Sequence, residues 1–458
     1  MKRFIFTLLI LLCYIITKGQ NLSEQHIVPQ SPNVSSLIQY ANCPISYYSG
    51  TSNISIPLYD INIDALKLPI SLNYHSSGIK VAQEASWVGL GWSLNAGGCI
   101  SRSVQCYDDF LEYSYPDIPV QQGYYAANDI IGMGTQDYYT YYHTNLGIKM
   151  HMVIDSEPDI FYYSFAGYSG KFVLDKSRGA VLFNKSDGLK IEVKTDAFTK
   201  KYFIITTPDG TKYVFNTKEV AHLYHQEGSL HNNNSNATIW DKNENSFTEL
   251  PIKYVSSWFL TKIITSNGRV IFFDYEKELY KAPAQESCVK YNYLSHSGNT
   301  TECVQASSTP HYFTSKAVHD TYRLRRISWE NGYVDFISSN REDIAQTNYP
   351  LKKLENIKVY NKDGMVLKNL NFSYKYMNST KTGTYTYVFK RLLLDGVTDV
   401  IDTNYKYLFE YFDGTLPAKN SKNVDYWGYY NGQDYGNKYY CSTFFNNKYY
   451  EGANKKVV

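Results

Sequence analysis

The sequence lacks the short motifs by which many enzymes and nucleotide-binding proteins are recognised. Its 458 residues contain no G-x-S-x-G elbow, no phosphate-binding glycine loop, no H-E-x-x-H pair and no C-x-x-C pair. These absences argue against the common hydrolase, nucleotide, zinc-protease and thiol-redox sites. An excess of one charge is also missing. A formal net charge of +2 indicates no surface for nucleic acid or anionic lipid. Helical periodicity is scarce, and the best helix candidate, residues 217–225, is short.

Cysteines are few, and none has the spacing of a zinc ligand. Six of the seven lie beyond the first 20 residues. Cys288 and Cys303 flank a polar segment, and in an exported protein a disulfide between them would close that loop. We therefore predict this pair, with Cys99 and Cys106 as a weaker alternative.

Candidate metal ligands fall in polar segments of the chain. One candidate group comprises His222, His225 and His231. These histidines would bind a metal only if residues 217–225 were helical, and no acidic third ligand stands at motif spacing. Residues 241–245 resemble the start of a calcium loop. However, Ser246 stands where glycine is needed, and Ile252 stands where a bidentate glutamate is needed. We expect exposed polar loops here, and neither a metal nor a cofactor.

Asp108, Asp109 and Glu112 are the carboxylates nearest to an acid–base arrangement. Glycoside hydrolysis needs two carboxylates that face each other across the scissile bond. Neighbouring residues of a strand point to opposite faces, so Asp108 and Asp109 are poorly disposed for this chemistry. We expect surface carboxylates without a catalytic role.

Residues 1–20 have the pattern of a secretory signal peptide. Lys2 and Arg3 precede an apolar stretch over residues 4–16, which is shorter than the roughly 20 residues of a membrane-spanning helix. Cleavage predicts a protein that is secreted or held at the cell surface; an uncleaved anchor is the alternative. We predict no transmembrane span after the signal is removed.

The rest of the chain has the composition of a large β surface. Tyrosine is the outlier, with 46 residues beside 22 phenylalanines, and it suits half-buried strands; a glycan-stacking surface is the alternative. Eight Asn-Gly or Asp-Gly pairs signal tight hairpins. They begin at Asp187, Asp209, Asn267, Asn331, Asp363, Asp395, Asp413 and Asn431. These pairs predict an all-β, antiparallel, hairpin-rich fold.

A degenerate strand–turn–strand repeat occurs in the second half of the chain. Leu260-x-x-Ile263 precedes the turn at Asn267, and similar apolar pairs precede the turns at Asn331 and Asp363. Each turn is followed by another alternating apolar run. The recurrence makes a stacked or spiral sheet plausible.

The most distinctive block of the sequence is residues 68–102. Trp87 and Trp92 bracket a run that contains Gly89 and Gly91. Large aromatic side chains around a backbone without Cβ atoms predict a tight corner with close chain approach. We therefore assign structural roles to these four residues, and to Trp427 and Gly428 as well.

Several segments resemble, in the same order, the N-terminal region of secreted RHS/YD-repeat proteins and the plasmid-virulence-B-type module of insecticidal toxin complexes. They are G-L-G-W-S-L (89–94), the runs 48–58 and 68–74, E-P-D-I-F (157–161), G-Y-S-G-K-F (167–172) and D-Y-W-G-Y-Y-N-G (425–432). The resemblance implies export from a Gram-negative cell. It also implies an extended or spiral β shell that encloses or displays a C-terminal effector segment or partner chain. The YD motif itself has one loose echo, from Asn267 to Tyr275.

These observations divide the chain into five segments. They are a signal peptide (1–20), a polar leader (21–50), an N-terminal β module (51–215), a polar insertion (216–255) and a second β region with degenerate repeats (256–458). We expect a non-catalytic exported scaffold that has no nucleic-acid partner. The rival hypotheses are a module that binds cell-surface glycans and, third, a glycan-active enzyme.

Overall fold

The structure, a computed structural model, describes residues 30–42, 53–105, 108–110, 158–227 and 251–432, apart from 176, 185–186, 199, 284, 290–291, 297–302, 308–310, 346, 380–385, 412–413, 422 and 426. In this part of the chain one α-helix, α1 (Pro32–Asn42), and a 3-10 turn (Thr386–Phe389) accompany 21 strands.

The first ten strands are β1 (Asn53–Ile63), β2 (Leu66–His75), β3 (Trp92–Asn95), β4 (Gly98–Ser103), β5 (Ile160–Phe165), β6 (Tyr168–Leu174), β7 (Ala180–Leu182), β8 (Lys190–Thr195), β9 (Lys201–Thr206) and β10 (Lys212–Glu227). The others are β11 (Ile252–Ile264), β12 (Val270–Lys281), β13 (Gln285–Val289), β14 (Asn292–His296), β15 (Cys303–Ser307), β16 (His311–Trp329), β17 (Gly332–Asn340), β18 (Lys352–Asn361), β19 (Val366–Asn378), β20 (Lys390–Asp399) and β21 (Lys406–Leu408).

The strands form three antiparallel sheets. β1, β2 and β3 make a three-stranded sheet, β14 and β15 make a hairpin, and the other strands make one 16-stranded sheet. That large sheet runs from β21 through β20, β19, β18, β17, β16, β10, β11, β4, β5 and β6 to β7, with β8, β9, β12 and β13 off this path. The prediction of an all-β, antiparallel, hairpin-rich fold is confirmed.

Two long strands make the large sheet branch. β10 pairs with β11 on one side, whereas on the other side its residues 212–215 pair with β9 and its residues 220–227 pair with β16. β16 also changes neighbours along its length, from β13 to β12 on one side and from β10 to β17 on the other. A sheet whose strands exchange neighbours in this way cannot remain a single flat layer.

One main hydrophobic core joins the small sheet to the large one. Alternating residues of β2, such as Leu68, Ile70 and Leu72, pack in the same cluster as Phe161, Trp258 and others from the large sheet. The strand period of two explains this pattern, because every second side chain points to the same face. The core therefore holds the segment between β2 and β4 against both sheets.

The polar leader contains an ordered helix. Val34 of α1 is fully buried beside Cys99 and Phe259. Asn33 accepts a hydrogen bond from the backbone N–H of Trp87 through its side-chain oxygen at 2.9 Å. Residues 32–42 of the leader thus pack on the main body of the protein.

Four of the eight predicted turns close hairpins between consecutive strands. They are the turns at Asp209 (β9–β10), Asn267 (β11–β12), Asn331 (β16–β17) and Asp363 (β18–β19). The prediction at Asp395 is wrong: Gly396 lies inside β20, next to a bulge at Asp395 of the same strand. A Cβ at Gly396 would lie 2.9 Å from the carbonyl oxygen of Tyr407, so glycine is needed there for close strand approach. Asp413 lies outside the described residues.

Two predictions about residues 216–255 are wrong in part. Residues 217–225 are not helical, because they belong to β10 and pair with both β11 and β16. The ends of the predicted insertion are strand as well, since β10 continues to Glu227 and β11 begins at Ile252. Residues 228–250 lie outside the described part of the chain.

Candidate functional site

The tryptophan–glycine block forms a tight corner, residues 85–92, between the two main sheets. Ser86 and Gly89 form a β-bridge, and the Ser86 hydroxyl donates to the carbonyl oxygen of Trp92 at 2.6 Å. The N–H of Leu90 donates to the carbonyl oxygen of Leu392 in β20 at 2.8 Å. The chain thus turns back on itself while one of its backbone amides bonds to the large sheet.

Gly89 and Gly91 are needed in the corner for both conformation and space. Their φ angles are +110° and +78°, which residues with a Cβ rarely adopt. A Cβ at Gly89 would lie 2.8 Å from the backbone nitrogen of Leu394, and one at Gly91 would lie 2.7 Å from Cε2 of Tyr74.

The two tryptophans anchor the corner to different strands. The Trp92 ring lies 5.0 Å from that of Tyr74 and 4.6 Å from that of Phe409. Its indole N–H donates to the Tyr411 hydroxyl at 3.0 Å. The carbonyl oxygen of Trp87 accepts the N–H of Leu354 in β18 at 2.8 Å. Both side chains are buried. The Trp92 side chain and the Trp87 carbonyl together fix the corner on β2, β18 and the segment after β21.

A set of charges, the corner cluster, surrounds this segment. It comprises the buried Arg341, Asp343, Arg391 and Lys419 and the partly buried Glu84. Arg341 donates two hydrogen bonds of 2.8 Å to the carboxylate of Asp343, and it also donates to the carbonyl oxygens of Ala85 and Ser86 at 3.1 Å. Burial would raise the pKa of Asp343, but Arg341 lowers it to about 2. Lys419 donates to Glu84 at 2.6 Å. These bonds attach the corner to residues that lie outside β2 and β3, the two strands that the corner connects.

A second buried set, the Arg102 cluster, joins Arg102 to Asp108, Asp109 and Asp159. Arg102 Nη1 lies 2.5 Å from Asp108 and 3.3 Å from Asp159. The N–H of Asp159 donates to the carboxylate of Asp109 at 2.7 Å, and the N–H of Asp109 donates to that of Asp159 at 3.2 Å. The two aspartates therefore cross-link the chain on either side of residues 111–157.

Aromatic rings and opposed charges complete the Arg102 cluster. The guanidinium carbon lies 5.2 Å from the centre of the Phe110 ring and 5.4 Å from that of Trp258. Burial raises the pKa of Asp159 well above its ordinary value, Asp109 and Asp108 raise it further, and Arg102 opposes the shift. A carboxyl group that keeps its proton relieves the excess of negative charge in this cluster.

The expectation of surface carboxylates at Asp108 and Asp109 is wrong. These residues are 0% and 3% exposed, because Arg102 and nearby backbone N–H groups bind their oxygens. Glu112 lies outside the described residues. A sequence signal was present: Arg102 ends a short apolar strand and Asp159 precedes another, and opposite charges at the ends of paired strands suggest a buried ion pair.

A third buried set, the Glu219 cluster, links β10, β11 and β16. His319 Nδ1 lies 3.3 Å from Glu219, and the hydroxyls of Thr321 and Ser256 donate to the same carboxylate at 2.5 and 2.9 Å. Burial would raise the pKa of Glu219, but its contact with His319 lowers it. All four side chains are buried. Glu219 and His319 therefore contact hydroxyl groups of the fold and are not accessible to solvent. The sequence interpretation missed it, because Glu219 and His319 are 100 positions apart.

The histidine group does not have the helical geometry on which the metal-binding hypothesis depended. The spacing of His222 and His225 fits a metal site only on a helix, and the backbone of both residues belongs to a strand. His222 instead approaches Asp320 at 3.4 Å, while the side chain of His225 and the whole of residue 231 and residues 241–246 lie outside the described part. Within the described ranges no group of three or more His, Cys, Asp or Glu side chains is placed to hold a metal ion.

The turn near the end of the described chain has a rigid backbone and an exposed indole. Asp425 accepts the N–H groups of Trp427 and Tyr429 at 2.9 and 2.8 Å. The carbonyl oxygen of Gly428, whose φ is +91°, accepts the N–H of Val81 at 2.9 Å. The side chain of Trp427 is 68% exposed. The structural role expected of Trp427 therefore belongs to Asp425 and Gly428.

Cys99 is a buried free thiol, so the alternative pairing with Cys106 is wrong. Burial, with a smaller effect of Glu219, raises the pKa of Cys99 to about 12, and such a thiol is unreactive at neutral pH. The backbones of Cys288 and Cys303 lie in β13 and β15, while their side chains lie outside the described part. Their disulfide stays a prediction.

Comparison with known proteins gives structural similarity without a family. No family model matches the chain, and no curated protein does. The crystal structure of TcdB2-TccC3 aligns at 13% identity over 81% of this chain and 16% of that chain, with a TM-score of 0.35. A mutant Photorhabdus luminescens Tc holotoxin pore aligns at 12% identity over 78% of this chain and 15% of that chain, with a TM-score of 0.37.

A shorter protein aligns over nearly all of its length. The N-terminal domain of the effector protein SpvB from Salmonella typhimurium strain LT2 aligns at 11% identity over 79% of this chain and 99% of that chain, with a TM-score of 0.32. By contrast, this chain spans 16% of the TcdB2-TccC3 chain. Similarity at these identities and scores establishes no family for the chain.

Proposed function

We propose that this protein is a non-catalytic exported scaffold, the N-terminal shell part of an RHS/YD-repeat-type toxin or surface protein. The ordered sequence motifs suggest the shell, and the wide antiparallel sheet is compatible with it. The observation that carries the non-catalytic part is the burial of Asp108 and Asp109. A general acid must reach the bond that it protonates, whereas these carboxyl groups bind Arg102 and backbone N–H groups of the fold.

The echo of a YD motif also has a structural role. Asp274 and Tyr275 lie in β12, directly after the hairpin at Asn267. The Tyr275 hydroxyl donates to the carbonyl oxygen of Leu260 at 2.7 Å, and its ring lies 5.5 Å from that of Phe259. A tyrosine that ties one strand of a hairpin to the other stabilises a repeated strand–turn–strand unit.

The exposed edge of the large sheet supports the proposal that a partner continues the sheet. β21 is the last strand on its side, and all three of its residues are exposed. Exposed edge strands accept further strands by main-chain hydrogen bonding. A C-terminal effector segment or a partner chain that contributes strands would extend the shell from this edge.

Export is the part of the proposal that the first 20 residues support. Edman sequencing of the exported protein should begin near Gln20 or Asn21; a mature chain that still begins at Met1 would rule out cleavage. Among the described residues no helix is long and apolar enough to cross a bilayer.

The scaffold is tested by incubating purified mature protein with polysaccharides and peptidoglycan and measuring released sugars. We expect no turnover in the wild type. Turnover that is lost in Asp109→Asn, while urea unfolding shows normal stability, would overturn the proposal. A catalytic acid would contribute about 10²- to 10⁴-fold in rate.

Glycan binding is the second candidate, and the exposed Trp427 favours it. Tyr430 is partly exposed in the same turn, so two aromatic residues of this turn are accessible for stacking on a sugar ring. A glycan array would show binding that Trp427→Ala abolishes and that Phe198→Ala, at an exposed aromatic of another turn, leaves intact. Equal binding by both variants would exclude this turn as the site.

A further inference from the structure

The corner cluster contains one more positive than negative group. Glu84 pairs with Lys419 at 2.6 Å, and Asp343 pairs with Arg341 at 2.8 Å. Arg391 is the third cation of the cluster, and among the described residues no carboxylate lies within ion-pair distance of it. Its nearest anions, Glu84 and Asp343, are already engaged by the other two cations.

Arg391 is buried with two of its donors unused. The residue is 1% exposed. Its Nη2 donates to the carbonyl oxygens of Val81 and Pro417, both at 2.8 Å. Its Nε and Nη1 are buried and bond to no atom of the described chain. Carbonyl oxygens satisfy two N–H groups, but they do not neutralise the charge, and an unpaired buried charge is strongly unfavourable.

Proton loss cannot relieve this excess as proton uptake does in the Arg102 cluster. There, the raised pKa of Asp159 favours proton uptake, which reduces the excess of three carboxylates over one guanidinium. Burial lowers the pKa of Arg391 to about 10, with Glu84 and Asp343 opposing the change. The guanidinium therefore remains charged at neutral pH, and relief has to come from a counter-ion.

We propose that Arg391 binds a small monovalent inorganic anion of the halide class through its unused N–H groups. The class follows from burial, since a side chain that is 1% exposed offers no room at the surface for a peptide carboxylate or a phosphate ester. The bound anion would neutralise the corner cluster and so stabilise the contact of the corner with β20 and with the segment around Pro417.

The test is equilibrium urea unfolding of the full mature protein in sodium chloride against sodium gluconate at constant ionic strength. An anion that binds only the folded state lowers the unfolding equilibrium constant about tenfold at ten times its Kd. We expect chloride to do this in the wild type and in Arg325→Met, a control at a partly exposed arginine that pairs with Asp274. We expect Arg391→Met to lose the dependence on chloride.

A second measurement decides the matter if Arg391→Met does not fold. Crystals of the wild-type protein grown in sodium bromide should show an anomalous bromine peak within hydrogen-bond distance of Arg391 Nε or Nη1. No peak at this position, or a chloride dependence of equal size in wild type and Arg391→Met, would overturn the proposal.

Discussion

Gly91→Ala tests whether the corner needs glycine for space as well as for backbone conformation. Gly91 has a φ of +78°, and a Cβ would lie 2.7 Å from the Tyr74 ring, which packs 5.0 Å from the Trp92 ring. The left-handed backbone costs an alanine about 1–2 kcal/mol. Displacing a packed ring adds about 1–3 kcal/mol. We therefore expect the free energy of unfolding to fall by about 2–5 kcal/mol.

Gly364→Ala is the matched control, because Gly364 has a φ of +81° and no atom lies within 4 Å of the position of a Cβ. It should lose only the backbone contribution, about 1–2 kcal/mol. Urea unfolding followed by tryptophan fluorescence measures both variants, and unchanged m-values would show that the unfolded states are comparable. Equal losses in the two variants would refute the close approach of Gly91 to Tyr74.

Two further predictions concern the anchors of the fold. Trp92→Ala should lower the free energy of unfolding by about 3–5 kcal/mol, whereas Trp427→Ala should change it by less than about 0.5 kcal/mol; urea midpoints that shift equally would contradict both assignments. Because burial raises the pKa of Asp159 in the folded state, whereas an unfolded aspartate loses its proton near pH 4, wild-type stability should fall, relative to Asp159→Asn, as pH rises above about 4 through the folded pKa. Urea unfolding between pH 4 and pH 9 checks the sign, and a constant difference would contradict the raised pKa.

Local chain chemistry explains which parts of the fold could be predicted. The turns at Asp209 and Asn267 have glycines at φ of +86° and +83°, and such turns are specified by two adjacent residues. The neighbours of a strand, by contrast, depend on residues that are distant in sequence. For example, β10 pairs with β16, although β11 to β15 lie between them in the chain. This explains why the pattern of residues 217–225 predicts a short helix where the structure has a strand.

The first repeat shows how a turn can shift the buried face of a strand. The alternating apolar run after its turn includes Val270 and Phe272, yet Ile271 and Phe273 are buried and Phe272 is exposed. The chain there turns through residues 265–269, whereas a two-residue loop precedes Gly332 in the second repeat. A change of loop length by one residue moves every following side chain to the other face, and the sequence pattern alone does not specify that length.

The buried charges were the least predictable part, and they show how the molecule uses its polar groups. Arg102 and Asp159 are separated by 57 positions in the sequence, and only the pairing of β4 with β5 brings them together. In the Arg102 and Glu219 clusters, bonds of side chains to the backbone, hydroxyls or an opposite charge fix segments that are distant in sequence. Groups engaged in this way cannot also bind a substrate without breaking the contacts that hold those segments. The burial of these two clusters is therefore explained by the contacts that they make within the fold.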